Sequence, residues 1–292
     1  MMMTKTIGFI GSGVMGKSMA SHLIDAGYHV HLFTRTKDKA LELLNQGAIW
    51  EVTVASLAAK SDIIITMVGY PSDVENLYLE ENGIINNAKP GSYLIDMTTS
   101  DPQLAEEIAK VAETKKLHSL DAPVSGGDIG AKSGKLAIMV GGTQQDFDTM
   151  LSIFEIMGEN IVLQGPAGAG QHTKMANQIN IASTMIGVSE SIMYAKKAGL
   201  DPERVLKSIS TGAAGSFSLS KLAPRMINGD YEPGFYIKHF IKDMKIALTN
   251  AKNMGIQTPG LALSLELYEE LADKGLEDEG TQALIKWFEG EL

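Results

Sequence analysis

Cysteine is absent from the 292 residues, which excludes disulfides, thiolate nucleophiles and cysteine-bound metals and suits a cytoplasmic setting. Basic residues are also scarce. Lys and Arg number 25 against 35 Asp and Glu, a formal net charge of -10, and they form no long run. A nucleic-acid backbone is therefore not an expected partner. No apolar run reaches membrane-spanning length, so a membrane is not an expected partner either. The opening stretch Met1 to Lys5 reads as too short for a signal peptide. No spacing of histidines and carboxylates suggests a metal site, and none is expected. What remains is an ordinary globular composition, 44% hydrophobic and 21% charged, long enough for two domains.

What the sequence does have begins almost at once. Ile7, Phe9 and Ile10 form a short apolar strand, and Gly11-Ser12-Gly13-Val14-Met15-Gly16 then spells G-x-G-x-x-G. From Val14 the pattern turns helical, with Met15, Met19 and Leu23 on one face, until Gly27. Gly11 permits a tight turn, Gly13 lets backbone approach a pyrophosphate, and Gly16 lets the helix lie close on the strand. The N–H groups and positive dipole end of the helix start would face the phosphates. A second strand, Val30 to Phe33, ends where the adenosine ribose is read. No Asp or Glu stands there to accept from a 2'-hydroxyl. Thr34-Arg35-Thr36 instead offers a guanidinium and two hydroxyls, which suits a 2'-phosphate and argues for NADP(H) as the preferred cofactor, with NAD(H) possible.

Strand and helix alternate from residue 4 to about 164. Lys37 to Gln46 reads as a helix and Ile63 to Val68 as a strand covered on both faces. Tyr93 to Met97 is the next strand, followed by a helix capped at Asp101-Pro102. Further strands are predicted at Leu117 to Leu120, Leu136 to Val140 and Ile161 to Leu163, with a helix over Asp146 to Met157. This alternation predicts an N-terminal Rossmann-type doubly wound sheet over residues 1–164. After Gly165-Pro166 no strand of consequence is expected. Gly170 to Ala198 reads as one long interdomain helix, and residues 165–292 as an all-helical C-terminal domain for substrate and oligomerisation. Later helices are predicted over Ser216 to Ile227, Phe240 to Met254, Pro259 to Ala272 and Gln282 to Phe288.

Four loops could converge at the carboxyl ends of the strands: Met67-Val68, Thr98-Thr99, Asp121 to Gly127, and Gly168 to Gln171. Ser125-Gly126-Gly127 offers a hydroxyl and successive N–H groups that could grip a carboxylate, or it is a plain turn. Lys174 stands one turn into the long helix, with Asn177 and Gln178 able to share its face. A cation there meets the unfavourable end of the helix dipole, which points to functional need or to an accidental surface position. An ammonium that donates to a carbonyl oxygen suits hydride transfer.

Together these motifs resemble the β-hydroxyacid dehydrogenase family, which includes 3-hydroxyisobutyrate dehydrogenase, tartronate semialdehyde reductase and the glyoxylate and succinic semialdehyde reductases. The matching segments are G-F-I-G-S-G-V-M-G at 8–16, D-M-T-T at 96–99, D-A-P-V-S-G-G at 121–127, G-A-G-Q-H-T-K-M-A-N-Q at 168–178 and K-D-M at 242–244. The resemblance spans essentially the whole chain. It implies Lys174 as catalytic acid/base and Ser125, Gly126 and Gly127 as binders of a substrate carboxylate. Lys242 would reach the cofactor near the nicotinamide, with Thr99, Met67 and Val68 lining it. The family commonly has asparagine four residues past the catalytic lysine; this chain has Gln178 there and Asn177 one earlier, so either amide could touch substrate. The leading expectation is an NADPH-dependent reductase of a small carboxylate-bearing aldehyde. An NAD-linked 3-hydroxy acid dehydrogenase and a non-catalytic NADP-sensing or scaffold protein are the alternatives. A homodimer or homotetramer is expected from the resemblance.

Overall fold

The computed structural model describes residues 5–290, so Met1 to Thr4, part of the leader stretch read above, lie outside the described residues. The chain divides into two compact units, one ending at Lys174 and the other beginning at Met175. The long helix Ala169–Lys197 carries the chain from the first into the second.

Among the described residues the first unit is built on a nine-stranded sheet: β1 Thr6–Ile10, β2 His29–Phe33, β3 Ile49–Trp50, β4 Ile63–Thr66, β5 Tyr93–Asp96, β6 His118–Asp121, β7 Val124–Ser125, β8 Leu136–Gly141 and β9 Gly158–Gly165. The order is β3-β2-β1-β4-β5-β6-β8-β7, with β9 also on β8. From β3 to β6 every pair is parallel, the doubly wound arrangement expected. β8 then departs from a uniformly parallel sheet and runs antiparallel to β6 and β7. The reversal follows from chain length. Only the short helix Gly127–Ser133 separates β7 from β8, whereas a parallel return needs a longer crossover. β3 and the short helix Ile84–Asn87 carry too few residues for a periodic signal.

β4 shows why this sheet sits in the middle of the unit. Ile63 and Ile65 join one apolar cluster with Phe9, Met19 and Phe154, while Ile64 joins another with Leu57, Tyr78 and Leu94. A strand buried on both faces must be apolar throughout. Parallel β1, β4, β5 and β6 consequently deliver their following loops to one edge of the sheet.

The second unit is helical. Besides the long helix it contains Pro202–Ile209, Ala223–Ile227, Ile237–Asn253, Pro259–Asp273 and Ile285–Glu289. Its core centres on Phe240 and Tyr268, edge to face with centroids 5.1 Å apart. Two expected helices are modified. Ser218–Leu222 is a π-turn leading into Ala223–Ile227, a widening that suits Pro224, which lacks an N–H to continue the α-helical ladder. Likewise a 3-10 turn, Thr281–Leu284, precedes the last helix. The helix expected from Phe240 begins a turn earlier at Ile237, because Ile237 is itself core; its N-cap, Tyr236, makes no side-chain cap bond that could mark the start.

Candidate active site

Gly11 has φ +103°, and a Cβ there would lie 2.1 Å from the Met67 carbonyl oxygen, so the turn admits only glycine. Gly16 is closed for a different reason. Its Cβ would lie 2.1 Å from the Gly11 oxygen. Gly13, by contrast, has φ -72° and nothing within 4 Å of an added Cβ, so the chain itself does not require glycine there. The helix Val14–Asp25 starts without a side-chain cap, leaving first-turn N–H groups available, and the Ser12 hydroxyl is buried without a hydrogen-bond partner. Val14 is exposed and Met15 packs at the edge of the core. At the end of β2, Thr34 is half-buried and Thr36 exposed. Arg35 is exposed, with its guanidinium 3.2 Å from the Asp73 carboxylate.

The four loops singled out above are tied to one another within the first unit. Val68 N–H donates to the Thr98 hydroxyl at 3.0 Å, joining the loop after β4 to the loop after β5. The Thr98 carbonyl accepts from the Gln171 amide at 2.7 Å, joining the latter to the entry of the long helix. Asp121, closing β6, accepts from the N–H groups of Gly168 and Gln171, each at 2.8 Å. A carboxylate thus faces the dipole at the helix start. One turn on, the Lys174 ammonium, only 7% exposed, donates to the Val124 carbonyl at 2.9 Å. Val124 directly precedes Ser125, Gly126 and Gly127, whose glycines hold φ +132° and +62°. Thr99 and Ser125 are half-buried, as are Met67 and Val68.

Two buried carboxylates underlie this arrangement. Asp96 and Asp121 are register partners on β5 and β6. Burial pushes Asp96 up to about 6, against the hydrogen bonds from Thr66 and Thr98, and the neighbouring Asp121 adds to the rise. Burial likewise raises Asp121, offset in part by backbone N–H donors of Gly168 and Gln171. Tyr78, Thr66 and Asp96 form a hydrogen-bonded chain, at 2.9 and 2.8 Å, that ends on Thr98 N–H at 3.1 Å.

In the second unit, Gln178 is buried, and its amide is engaged at both ends. The nitrogen donates to Asp243 at 2.7 Å and the oxygen accepts from Asn177 at 2.8 Å. Asn177 is half-buried. Lys242 forms an ion pair with Asp243 at 2.8 Å. Sequence reasoning assigned no separate role to Asp96, Asp121, Gln171 or Asp243. The available signal was a carboxylate closing an otherwise apolar strand, at Asp96 and Asp121; Gln171 and Asp243 carry none without the fold.

Residues 6–165 match the sequence profile of the NAD binding domain of 6-phosphogluconate dehydrogenase, and residues 168–288 that of the NAD-binding region of NADP-dependent 3-hydroxyisobutyrate dehydrogenase. The chain belongs to the β-hydroxyacid dehydrogenase family. It is 63% identical to the uncharacterized oxidoreductase YkwC of Bacillus subtilis, over 97% of this chain and 99% of that protein. It is 38% identical to the 2-hydroxy-3-oxopropionate reductase of Escherichia coli, over 97% of each. Among solved structures, the 3-hydroxyisobutyrate dehydrogenase of Mycobacterium tuberculosis with L-serine superposes with a TM-score of 0.89 at 28% identity, covering 98% of this chain and 99% of that one. As a β-hydroxyacid dehydrogenase, the protein is an NAD(P)-dependent oxidoreductase acting on CH–OH groups.

The nicotinamide dinucleotide that this family implies fits the glycine turn of this β-hydroxyacid dehydrogenase. The space over Gly13, the unsatisfied Ser12 hydroxyl and the uncapped helix start together offer room and donors for a pyrophosphate. No helix among the described residues is long and apolar enough to cross a membrane.

Proposed function

We propose that the protein catalyses the NADPH-dependent reduction of a small carboxylate-bearing aldehyde, of the semialdehyde or glyoxylate class, to the hydroxy acid. The observation that carries this reading is the buried Lys174 ammonium, hydrogen-bonded at 2.9 Å to the residue that precedes the Ser125 to Gly127 turn. A proton donor on the long helix is thereby held against the segment that carries the carboxylate-binding turn. Relatives support the substrate class: 2-hydroxy-3-oxopropionate is a carboxylate-bearing aldehyde, and the L-serine of the Mycobacterium tuberculosis enzyme carries a carboxylate and a β-hydroxyl.

In this reading the Ser125 hydroxyl and the N–H groups of Gly126 and Gly127 bind the substrate carboxylate and orient the carbonyl. When bound, the reduced nicotinamide supplies the hydride to the carbonyl carbon. Lys174 gives a proton to the carbonyl oxygen as negative charge develops there, and regains one from water; in the oxidative direction it accepts the hydroxyl proton. Of the two amides, Asn177 is the one assigned to the substrate in this reading, through its oxygen: its nitrogen donates to the Gln178 oxygen, whereas the Gln178 amide is bonded at both ends. Gly11 to Gly16 hold the pyrophosphate, while Met67, Val68, Thr99 and Lys242 serve the nicotinamide side. Thr34, Arg35 and Thr36 receive the 2'-phosphate, which makes NADPH the preferred cofactor.

Lys174→Ala tests the central role. Turnover of glyoxylate or succinic semialdehyde is expected to fall by roughly 10³-fold, within the range of a lost general acid, with NADPH affinity nearly unchanged. A variant that turns over at the wild-type rate removes Lys174 from the chemistry.

A further inference from the structure

Gln171 has no exposed surface, and its amide and backbone N–H tie it to two distant segments, the loop after β5 and the end of β6. Its amide nitrogen donates to the Thr98 carbonyl at 2.7 Å and its amide oxygen accepts from Ser100 N–H at 2.9 Å, across 73 and 71 residues of sequence. Its backbone N–H goes to Asp121, 50 residues away, at 2.8 Å. The amide has one workable orientation. Turned over, it would set oxygen against the Thr98 carbonyl and NH₂ against the Ser100 N–H.

The surroundings allow little adjustment. Asp121 lies where an added Cβ at Gly141 would come within 2.3 Å of its Oδ1 and one at Gly170 within 2.8 Å of its Oδ2, so the carboxylate is slotted between two side-chain-free backbones. Thr98 is fixed at three atoms: its N–H by Asp96, its hydroxyl by Val68 N–H, and its carbonyl by Gln171. Lys174 follows Gln171 by three residues on the same helix, so the two share a face. The orientation of this first turn sets where the ammonium points.

We propose that Gln171 is the positioning residue of the active site, registering the helix that carries Lys174 against the Thr98-Thr99 loop so that proton donor and nicotinamide loop form one rigid piece. The inference rests on the reading of Lys174 as acid/base. Gln171 touches neither reactant in this scheme; it acts through Lys174 and Thr98.

Gln171→Met keeps the length and burial of the side chain and removes both amide hydrogen bonds. The expected result is a kcat lowered about 10²-fold, the scale of a catalytic group displaced by about 1 Å. The Kd for NADPH should stay within about threefold of wild type, because the glycine turn is untouched. Added to Lys174→Ala, Gln171→Met should cause no further loss, since a residue acting through Lys174 has nothing left to position. A purely structural role would instead lower the melting temperature and leave kcat per folded molecule intact. A kcat within twofold of wild type, or a full second loss in the double variant, overturns the inference. Should Gln171→Met fail to fold, Gln171→Glu, which still accepts from Ser100 N–H, carries the same comparison of kcat with Kd. The two readings fail separately: an active Lys174→Ala sinks the acid/base role, whereas an inactive Lys174→Ala beside a fully active Gln171→Met sinks only the positioning role.

Discussion

The glycine turn at Gly11 to Gly16 and the cluster around Gln171 follow strands of one sheet, yet they are built by opposite means. The turn is made of backbone within six consecutive residues, and its conformation depends on missing side chains. The cluster is made of side chains drawn from 50 to 73 residues apart, and depends on buried polar groups being paired. A local backbone device tolerates no added bulk where backbone closes on it, at Gly11 and Gly16, whereas a long-range polar one tolerates no lost partner.

The sharpest break of this contrast lies inside the turn itself. Gly16→Ala would put a methyl 2.1 Å from the Gly11 carbonyl oxygen, a backbone atom that cannot step aside. A loss of about 3 kcal/mol or more in a denaturant melt is expected, the upper end of overpacking costs. Gly13→Ala meets nothing within 4 Å, so its stability should stay within about 0.5 kcal/mol of wild type while NADPH affinity falls at least tenfold. If both variants lose stability alike, Gly13 serves the chain and not a ligand.

This contrast also explains what could be read in advance. The turn, the apolar run of β4, the Asp101-Pro102 helix start and the long helix all advertise themselves within a few residues. Lys174 and Ser125 to Gly127 were legible as parts, but their connection through Val124 was not, because it spans 50 residues. The reversal of β8, the polar chain from Tyr78 to Thr98 and the doubly engaged Gln178 were equally invisible. Each is decided by which segments meet, and hydrophobic period carries no record of that.

Buried carboxylates sharpen the comparison next, since two of them shift in opposite directions. Asp96 titrates at about 6 when folded, above its ordinary 3.8. Its contribution to stability is therefore full below 3.8 and disappears as pH rises through 6, a change on the order of 2 to 3 kcal/mol. Glu51 is the reverse case. Burial alone would raise it, but hydrogen bonds from Lys60, Ser56 and His31 outweigh that and hold it at about 2, against 4.5 ordinarily. Its contribution is present above 4.5 and is lost as pH falls through 2. Melts of Asp96→Asn should show a flatter profile between pH 4 and 7 than wild type, and melts of Glu51→Gln a flatter one below pH 4.5. Parallel profiles for wild type and variant would show that the carboxylate in question is not held as described.

Arg35 gives the smallest effect and joins the two kinds of device. It was legible as a local feature, a cation at the end of β2 where a carboxylate would select NADH, but its partner Asp73 lies 38 residues on and is itself anchored by Tyr70 N–H. A 2'-phosphate reaching the guanidinium must compete with that carboxylate, which both occupies donors and repels the incoming charge. Arg35→Ala should therefore weaken NADPH about tenfold and leave NADH unchanged, a modest figure because the side chain is 82% exposed and well screened. Asp73→Asn should do the opposite and tighten NADPH by a few-fold, with NADH again constant. Titrating both variants with both cofactors separates the cases: if Asp73→Asn weakens NADPH as much as Arg35→Ala does, the carboxylate is needed to present the guanidinium, and the pair acts as one phosphate-binding unit rather than as competitors.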